Sequence, residues 1–406
     1  MRRNARLRCP RARPRSLPRA SRPTPAGRGQ VRCASSGARV LSLLAHPAQR
    51  AALTVLWREG SNPMGQPALS EDEIEHFIEH GYVILRGCFD RAFAEKWKAR
   101  TWADLELSPT EPGGWDAEAD VVHCEPQNSI AVGELAPRAW GAIQQLCGGQ
   151  ERVHEPYWCD KFIINFGMNK DQPWQSPDEM AAAGTGGWHA DGWHFKHFLD
   201  SPEQALLSVV LWSDVPTQHG GTYIAPESVG HIARYLAQHP EGCGGWNEPS
   251  TPMPNSREII AHCSEFVEIT GETGDVVLHH PFMLHTSSPN PSGVPRFITN
   301  PVSVLKEPMN FNRPDGSYSP VESAILRHLG CTSFEFAPLT KRAGRPAPPI
   351  TKAGPEEERR VLTQLEALRL DWASAGMRHR QPRSHQLGPP RVWSSTDEGD
   401  QVGAKL

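Results

Sequence analysis

The sequence predicts a mainly β domain with flanking helices, in which an antiparallel barrel or sandwich forms the core. Two observations carry this prediction. From Trp158 onward, short apolar runs are separated by Gly, Pro and Asn, a pattern typical of short strands joined by turns. Before that point, longer segments have the apolar spacing and end signals of helices. With 406 residues, the chain is long enough to bury such a core.

The first element is a helix that begins abruptly after Ser70. Ser70 and Glu73 have the spacing of a capping box. Leu69 and Ile74 have the spacing of a hydrophobic staple, and Gly81 suits the residue just past the last turn. Further helices are expected at 91–107, 136–146 and 228–238. Strands are expected at 82–89, 158–166, 205–212, 221–225, 265–270, 275–280 and 296–305.

Composition divides the chain into an extension (1–64), a folded domain (65–344) and a C-terminal region (345–406) with one helix at 356–372 and a polar tail. Residues 1–58 contain fourteen arginines, several prolines and no acidic residue, so they cannot bury enough apolar area to offset the entropy of ordering. Three interpretations of the extension stay open. It is sequence upstream of a true start at Met64, a transit peptide, or a basic tail that binds a partner.

Charge and hydropathy exclude several classes of function. The mean hydropathy is −0.51, and no apolar run approaches the ~20 residues of a membrane span. After residue 64 the chain carries 28 basic and 45 acidic residues, a net charge of −17 that disfavours binding to nucleic acid. Its nine cysteines form no Cys-x-x-Cys pair, so we expect an intracellular, reducing location, most simply the cytoplasm. The last residues, Ala404-Lys405-Leu406, resemble the Ser-Lys-Leu peroxisomal signal, which would apply in a eukaryote.

One His-x-Asp pair has the spacing of a metal site. His189 and Asp191 are two residues apart, so on an extended chain both side chains lie on the same face. The segment 274–285 offers three further histidines. His279 and His280 fall in a predicted strand and are expected to be buried there. His285 follows that strand, at a position where a side chain can face the mouth of the barrel. Two histidines and one carboxylate on one side of a cation form the facial triad of non-haem Fe(II) oxygenases.

Arg296 lies 11 residues after His285, at the start of the next predicted strand. A 2-oxo acid that chelates the iron needs a forked, charged donor for its far carboxylate, and arginine provides one. Ser287 could donate a hydroxyl to the same carboxylate. His189, Asp191, His285 and Arg296 together are a more specific signal than any one of these residues.

Residues from about 69 to 329 resemble the phytanoyl-CoA dioxygenase family of Fe(II)/2-oxoglutarate oxygenases. The motifs that carry the resemblance, in chain order, are the entry helix and strand, Trp188-His189-Ala190-Asp191-Gly192, Gly220-Gly221-Thr222-Tyr223, and Gly274-Asp275 through His285 to Arg296. The resemblance implies a double-stranded β-helix (jelly-roll, cupin-like) core that uses Fe(II), 2-oxoglutarate and O₂. It implies that iron is held by His189, Asp191 and His285, and 2-oxoglutarate by Arg296, with accessory positions at Ser287, Trp212 and either Lys161 or Asn165.

The implied activity is hydroxylation of an unactivated C–H bond in a small organic or lipid-like substrate, with release of succinate and CO₂. Asp191 favours hydroxylation over halogenation, since the carboxylate frees no site for halide. The run Pro226-Glu227-Ser228-Val229-Gly230-His231 and an insertion at 239–262 depart from the family pattern beside the pocket, so phytanoyl-CoA does not carry over. Expected pocket residues are Trp188, Trp193, His194 and Tyr223.

Two other functions remain alternatives. One is a catalytically silent β-helix that binds or senses a ligand. The other is a cupin- or JmjC-like metalloenzyme that anchors a different co-substrate. The sequence predicts neither the substrate nor the oligomeric state.

Overall fold

The structure, a computed structural model, describes residues 67–115, 121–124, 126–168, 173–192, 195–244, 251–342 and 391–392. The predicted extension (1–64) and the predicted helix at 356–372 lie outside the described residues. Within the described ranges, no helix is both long enough and apolar enough to cross a bilayer.

Eight helices and thirteen strands are assigned in the described part of the chain. The helices are α1 (Glu71–His80), α2 (Arg91–Asp104), α3 (Val132–Leu135), α4 (Pro137–Cys147), α5 (Pro177–Ala182), α6 (Ser228–Gln238), α7 (Ser256–Ile260) and α8 (Pro320–Leu329). The strands are β1 (Tyr82–Leu85), β2 (Val121–His123), β3 (Asn128–Ala131), β4 (Tyr157–Cys159), β5 (Ile163–Asn165), β6 (Leu206–Leu211), β7 (Thr222–Ala225), β8 (Val267–Ile269), β9 (Val276–His279), β10 (Leu284–Ser287), β11 (Arg296–Thr299), β12 (Val302–Ser303) and β13 (Arg391–Val392).

Two antiparallel sheets form the core. The larger sheet has the order β1-β9-β6-β11-β5-β2, with β12 paired to β6, and the smaller has the order β10-β7-β8. His189 extends the smaller sheet, because it forms an antiparallel bridge to His285 on β10. From β6 to β11 the chain alternates between the two sheets at every connection except that from β7 to β8, which is the strand order of a double-stranded β-helix. The predicted fold class is confirmed.

Local signals placed several elements well. Ser70 and Glu73 form the predicted capping box at α1, and Gly81 ends that helix with a φ of 76°. The predicted strands at 158–166 and 296–305 are wrong, since each is two shorter strands. In the first, Asp160 turns the chain by accepting hydrogen bonds from the backbone N–H groups of Gln127 and Asn128 (2.7 and 2.9 Å). In the second, Asn300 and Pro301 separate β11 from β12, since proline cannot donate to a ladder.

One face of the larger sheet packs against α2. Trp212, just after β6, stacks on Trp97 of α2 with ring centroids 5.0 Å apart and an interplanar angle of 17°. Phe162 and Phe297 pack edge-on in the same aromatic cluster. Aromatic side chains bury large areas in fixed geometry, so this face is closed by packing. The opposite face of the sheet is left to line the interior of the β-helix.

Candidate metal centre

Backbone pairing brings the His-x-Asp segment onto β10. The N–H of His189 donates to the carbonyl of His285 (3.0 Å), and the N–H of His285 donates back to His189 (2.9 Å). The N–H of Gly187 also donates to Oγ1 of Thr286, at 3.0 Å. These three bonds fix a segment without regular secondary structure next to a strand almost a hundred residues further along the chain. The two histidine side chains therefore lie side by side, with ring centroids 4.4 Å apart.

The ligand atoms of His189, Asp191 and His285 all lie within 4.8 Å of one another. Oδ1 of Asp191 lies 3.4 Å from Nε2 of His189 and 3.9 Å from Nε2 of His285. Among the described residues, these three side chains are the one group of His, Cys, Asp or Glu ligands found close enough to share an ion. The structure therefore brings together the three residues that the sequence predicts as metal ligands.

The hydrogen bonds of the two imidazoles test whether the group fits a metal. Nδ1 of His189 lies 2.5 Å from the carbonyl oxygen of Gly187, and Nδ1 of His285 lies 3.2 Å from that of Met283. A carbonyl only accepts, so Nδ1 donates in each bond, which leaves Nε2 of each ring as the atom that would bind a metal. Two Nε2 lone pairs and one carboxylate oxygen on one side of an ion match the facial set that suits Fe(II).

Burial and mutual charge set the protonation of the three groups. Burial, with the neighbouring His189 charge, lowers the pKa of His285 to about 4. Burial alone would raise the pKa of Asp191, but the hydrogen bond to His189 and the charges of His285 and His189 hold that pKa below its ordinary value. For His189, burial lowers the pKa, but the hydrogen bond and charge of Asp191 outweigh it and raise it. At neutral pH the site thus offers a carboxylate anion and at least one neutral imidazole.

Asn300 contacts the candidate metal centre and was not predicted from the sequence. Its Nδ2 donates to Oδ2 of Asp191 at 2.9 Å, on the carboxylate oxygen away from the two histidines. Asn300 directly follows β11 and is four residues after Arg296, a spacing that places both on one face of an extended chain. That spacing is the signal in the sequence that could have found it.

Arg296 begins β11 and is 1% exposed. Its Nη1 donates to the carbonyl of Ile163, at 3.4 Å. Asn165 is its register partner on β5 and is also buried, so the structure brings these two predicted residues together. Ser287 lies two residues after His285 on β10, hence on the same face, and its side chain is exposed.

Trp212 is not brought to this face. Ile298, two residues after Arg296, pairs directly with Leu211, so Arg296, Ile298 and Leu211 share one face of the sheet. Trp212 follows Leu211 and points to the opposite face, where its Nε1 donates to Oγ1 of Thr299 at 2.9 Å. Its contacts are those of a core residue. The strand register therefore does not support the expectation that Trp212 touches the co-substrate.

The remaining predicted residues have mixed placements. Lys161 is exposed in the turn between β4 and β5. Trp188 is buried and packs on Phe266, with ring centroids 5.5 Å apart. Tyr223 is buried on β7, and its hydroxyl donates to the carbonyl of Gln175 at 2.8 Å. Trp193 and His194 lie outside the described residues.

His279, which the sequence places in a strand, is buried on β9 with its ring 5.4 Å from that of His285. Burial is the main cause that lowers its pKa to about 3, so this histidine is neutral.

The described start of the insertion borders the segment that follows Asp191, since the backbone of Cys243 exchanges two 2.8 Å hydrogen bonds with His197. Nε2 of His197 lies 2.8 Å from the carbonyl of Gly192, the residue after Asp191.

Comparison with known proteins places the chain in a family. The family model for phytanoyl-CoA dioxygenase (PhyH) matches residues 77–298, more than half of the chain, and includes every residue of the triad. No protein of curated function matches the chain in sequence.

Similar solved structures include the epimerase SnoN of nogalamycin biosynthesis in complex with Fe³⁺ and alpha ketoglutarate. It has 17% identity, covers 67% of this chain and 95% of its own, and gives a TM-score of 0.36. EctD from S. alaskensis with bound Fe has 20% identity, covers 63% of this chain and 85% of its own, and also gives 0.36. A non-heme monooxygenase, ThoJ, solved as a Ni complex, has 16% identity, covers 73% and 98%, and gives 0.36.

The family match includes the end of α1, both halves of the metal site and most of β11, which begins at Arg296. The chain belongs to the phytanoyl-CoA dioxygenase (PhyH) family of Fe(II)/2-oxoglutarate-dependent oxygenases.

Proposed function

We propose that this protein hydroxylates an unactivated C–H bond of a small organic or lipid-like substrate, with Fe(II) and 2-oxoglutarate as cofactor and co-substrate. The observation that carries the proposal is the group of three ligand atoms within 4.8 Å of one another. Strand β11 of the same β-helix buries Arg296. One O₂ would supply one oxygen atom to the substrate and one to succinate, with loss of CO₂ from 2-oxoglutarate, so the atoms balance.

In this proposal each described residue has a defined task. His189, Asp191 and His285 hold the ion through single atoms, which leaves the other coordination positions open. Arg296 donates to the far carboxylate of 2-oxoglutarate, and Asn165 and Ser287 add polar contacts near it. When bound, the iron supplies the redox chemistry that activates O₂, while the protein orients the reactants and excludes water.

The substrate lies on the exposed side of the triad. The side chain of His189 is 54% exposed, whereas that of His285 is 8% exposed, so His189 borders the open side of the site. Tyr223 pairs with Thr286, whereas His285 pairs with Ile224, so the side chain of Tyr223 lies on the face of the smaller sheet away from His285. Trp188 packs on Phe266, so neither aromatic residue supports the pocket role expected from the sequence.

The test is succinate release by the purified protein with Fe(II), ascorbate, 2-oxoglutarate and O₂, first without substrate and then with a panel of metabolites. We expect slow release alone and faster release, with a product one oxygen atom heavier, when the substrate is present. Asp191→Ala is expected to abolish release, whereas Asn312→Ala, at an exposed residue, is the matched control. Metal and 2-oxoglutarate binding without any release would favour the silent sensing module instead.

A further inference from the structure

The two carboxylate oxygens of Asp191 have different surroundings. Oδ1 lies near both histidine Nε2 atoms, at 3.4 and 3.9 Å. Oδ2 accepts a hydrogen bond from Nδ2 of Asn300, at 2.9 Å. A carboxylate is free to bind a metal through one oxygen or through both, and the choice decides how many positions stay open. The amide of Asn300 occupies the oxygen that a two-oxygen ligand would need.

The strand before Asn300 holds it firmly in place. Thr299 pairs with Val210 of β6, and its Oγ1 accepts the indole N–H of the buried Trp212. Asn300 is partly buried at the end of this strand, on the same face as Arg296. The amide therefore reaches Asp191 from a rigid element, which is the kind of support that orients a metal ligand.

We infer that Asn300 is a positioning residue that keeps Asp191 a one-oxygen ligand. Its N–H bond fixes the rotation of the carboxylate and presents Oδ1 to the ion. Three single-atom ligands then leave room for a chelating 2-oxo acid and for O₂. One strand, β11 with its next residue, would thus orient both the metal ligand through Asn300 and the co-substrate through Arg296. This inference rests on the proposed function, since it requires that the triad binds a metal.

Metal titration tests the role without relying on turnover. The dissociation constant for Mn(II) is measured by electron paramagnetic resonance, and Co(II) binding by its visible spectrum, in wild type, Asn300→Ala and Asn300→Leu. Asn300→Leu keeps the approximate size of the side chain and removes the N–H donor without adding a charge. We expect both variants to bind metal about 10- to 100-fold more weakly, with a changed Co(II) spectrum. Asn312→Ala should match wild type.

Each outcome separates the inference from the proposed function. If wild type binds neither ion, the proposed function fails. If wild type binds and both variants bind as tightly with the same Co(II) spectrum, the proposed function stands and the positioning role is refuted. Wild-type affinity in Asn300→Leu alone would show that the donor is not needed, which also refutes the positioning role. The melting temperature of the metal-free protein should be nearly unchanged, and loss of the fold in both variants would make Asn300 a folding residue instead.

Discussion

Replacing Arg296 by leucine tests the co-substrate anchor most directly. The arginine is 1% exposed, so a carboxylate that meets its guanidinium would be removed from water. Removing one partner of a buried, hydrogen-bonded charge pair costs about 2–4 kcal/mol in binding. At 1.4 kcal/mol for each factor of ten, the KM for 2-oxoglutarate should rise roughly 30- to 1,000-fold. Leucine suits the apolar surroundings of Ile298 and Leu211, so the fold should survive.

The assay is succinate release at varied 2-oxoglutarate concentration, with and without substrate. Arg296→Lys keeps the charge but loses the guanidinium, which can donate two parallel hydrogen bonds to one carboxylate. Its KM for 2-oxoglutarate should therefore lie between those of wild type and Arg296→Leu. Arg327→Leu is the control, because Arg327 is 43% exposed on α8 and forms a surface ion pair with Glu75. If Arg296→Leu left the KM unchanged while the protein stayed folded, the anchor would lie elsewhere. That result would favour the cupin- or JmjC-like metalloenzyme as the alternative function.

Three further changes have distinct expected outcomes. His285→Ala should weaken Mn(II) binding at least 100-fold in a titration yet leave the circular dichroism spectrum intact, because its backbone bonds remain. Glu322→Gln should lower the free energy of unfolding by about 3 kcal/mol at pH 7. Burial alone would raise the pKa of Glu322, but the hydrogen bonds with Arg152 lower this pKa from 4.5 to about 2. That stabilisation is present above the unfolded pKa and is lost as pH falls toward 2, so denaturant unfolding should show wild type and variant converge in acid. Trp212→Phe should leave the KM for 2-oxoglutarate unchanged and cost about 1–2 kcal/mol of stability, mainly through the lost bond to Thr299; a raised KM would return Trp212 to the co-substrate site.

Elements whose signals lie within a few residues could be predicted from the sequence. The α1 helix is one, because its capping box, staple and stop glycine all lie within 69–81. The α6 helix was predicted at the observed bounds, Ser228–Gln238. In contrast, α8 was missed although Ser319 and Glu322 form a capping box there. The short strands β2 and β3 were missed because three or four residues carry too little periodicity to recognise.

The site was predictable as a set of residue types but not as a set of contacts. His189, Asp191, His285 and Arg296 have chemistry that is recognisable in the sequence. The face on which a strand residue lies depends on register with a distant strand, and a shift of one residue moves every side chain to the other face. That is why Trp212 was assigned to the co-substrate and why Asn300 was overlooked.

Backbone hydrogen bonds help to organise the triad. His189 and His285 are held side by side by two reciprocal N–H to carbonyl bonds, and the bond from Gly187 to Thr286 anchors the segment that leads into them. Asp191 accepts a hydrogen bond from Asn300, which directly follows β11. These hydrogen bonds restrict the positions of all three ligands within the fold. Less ordering entropy is therefore lost on metal binding than when ligands must be assembled around the ion.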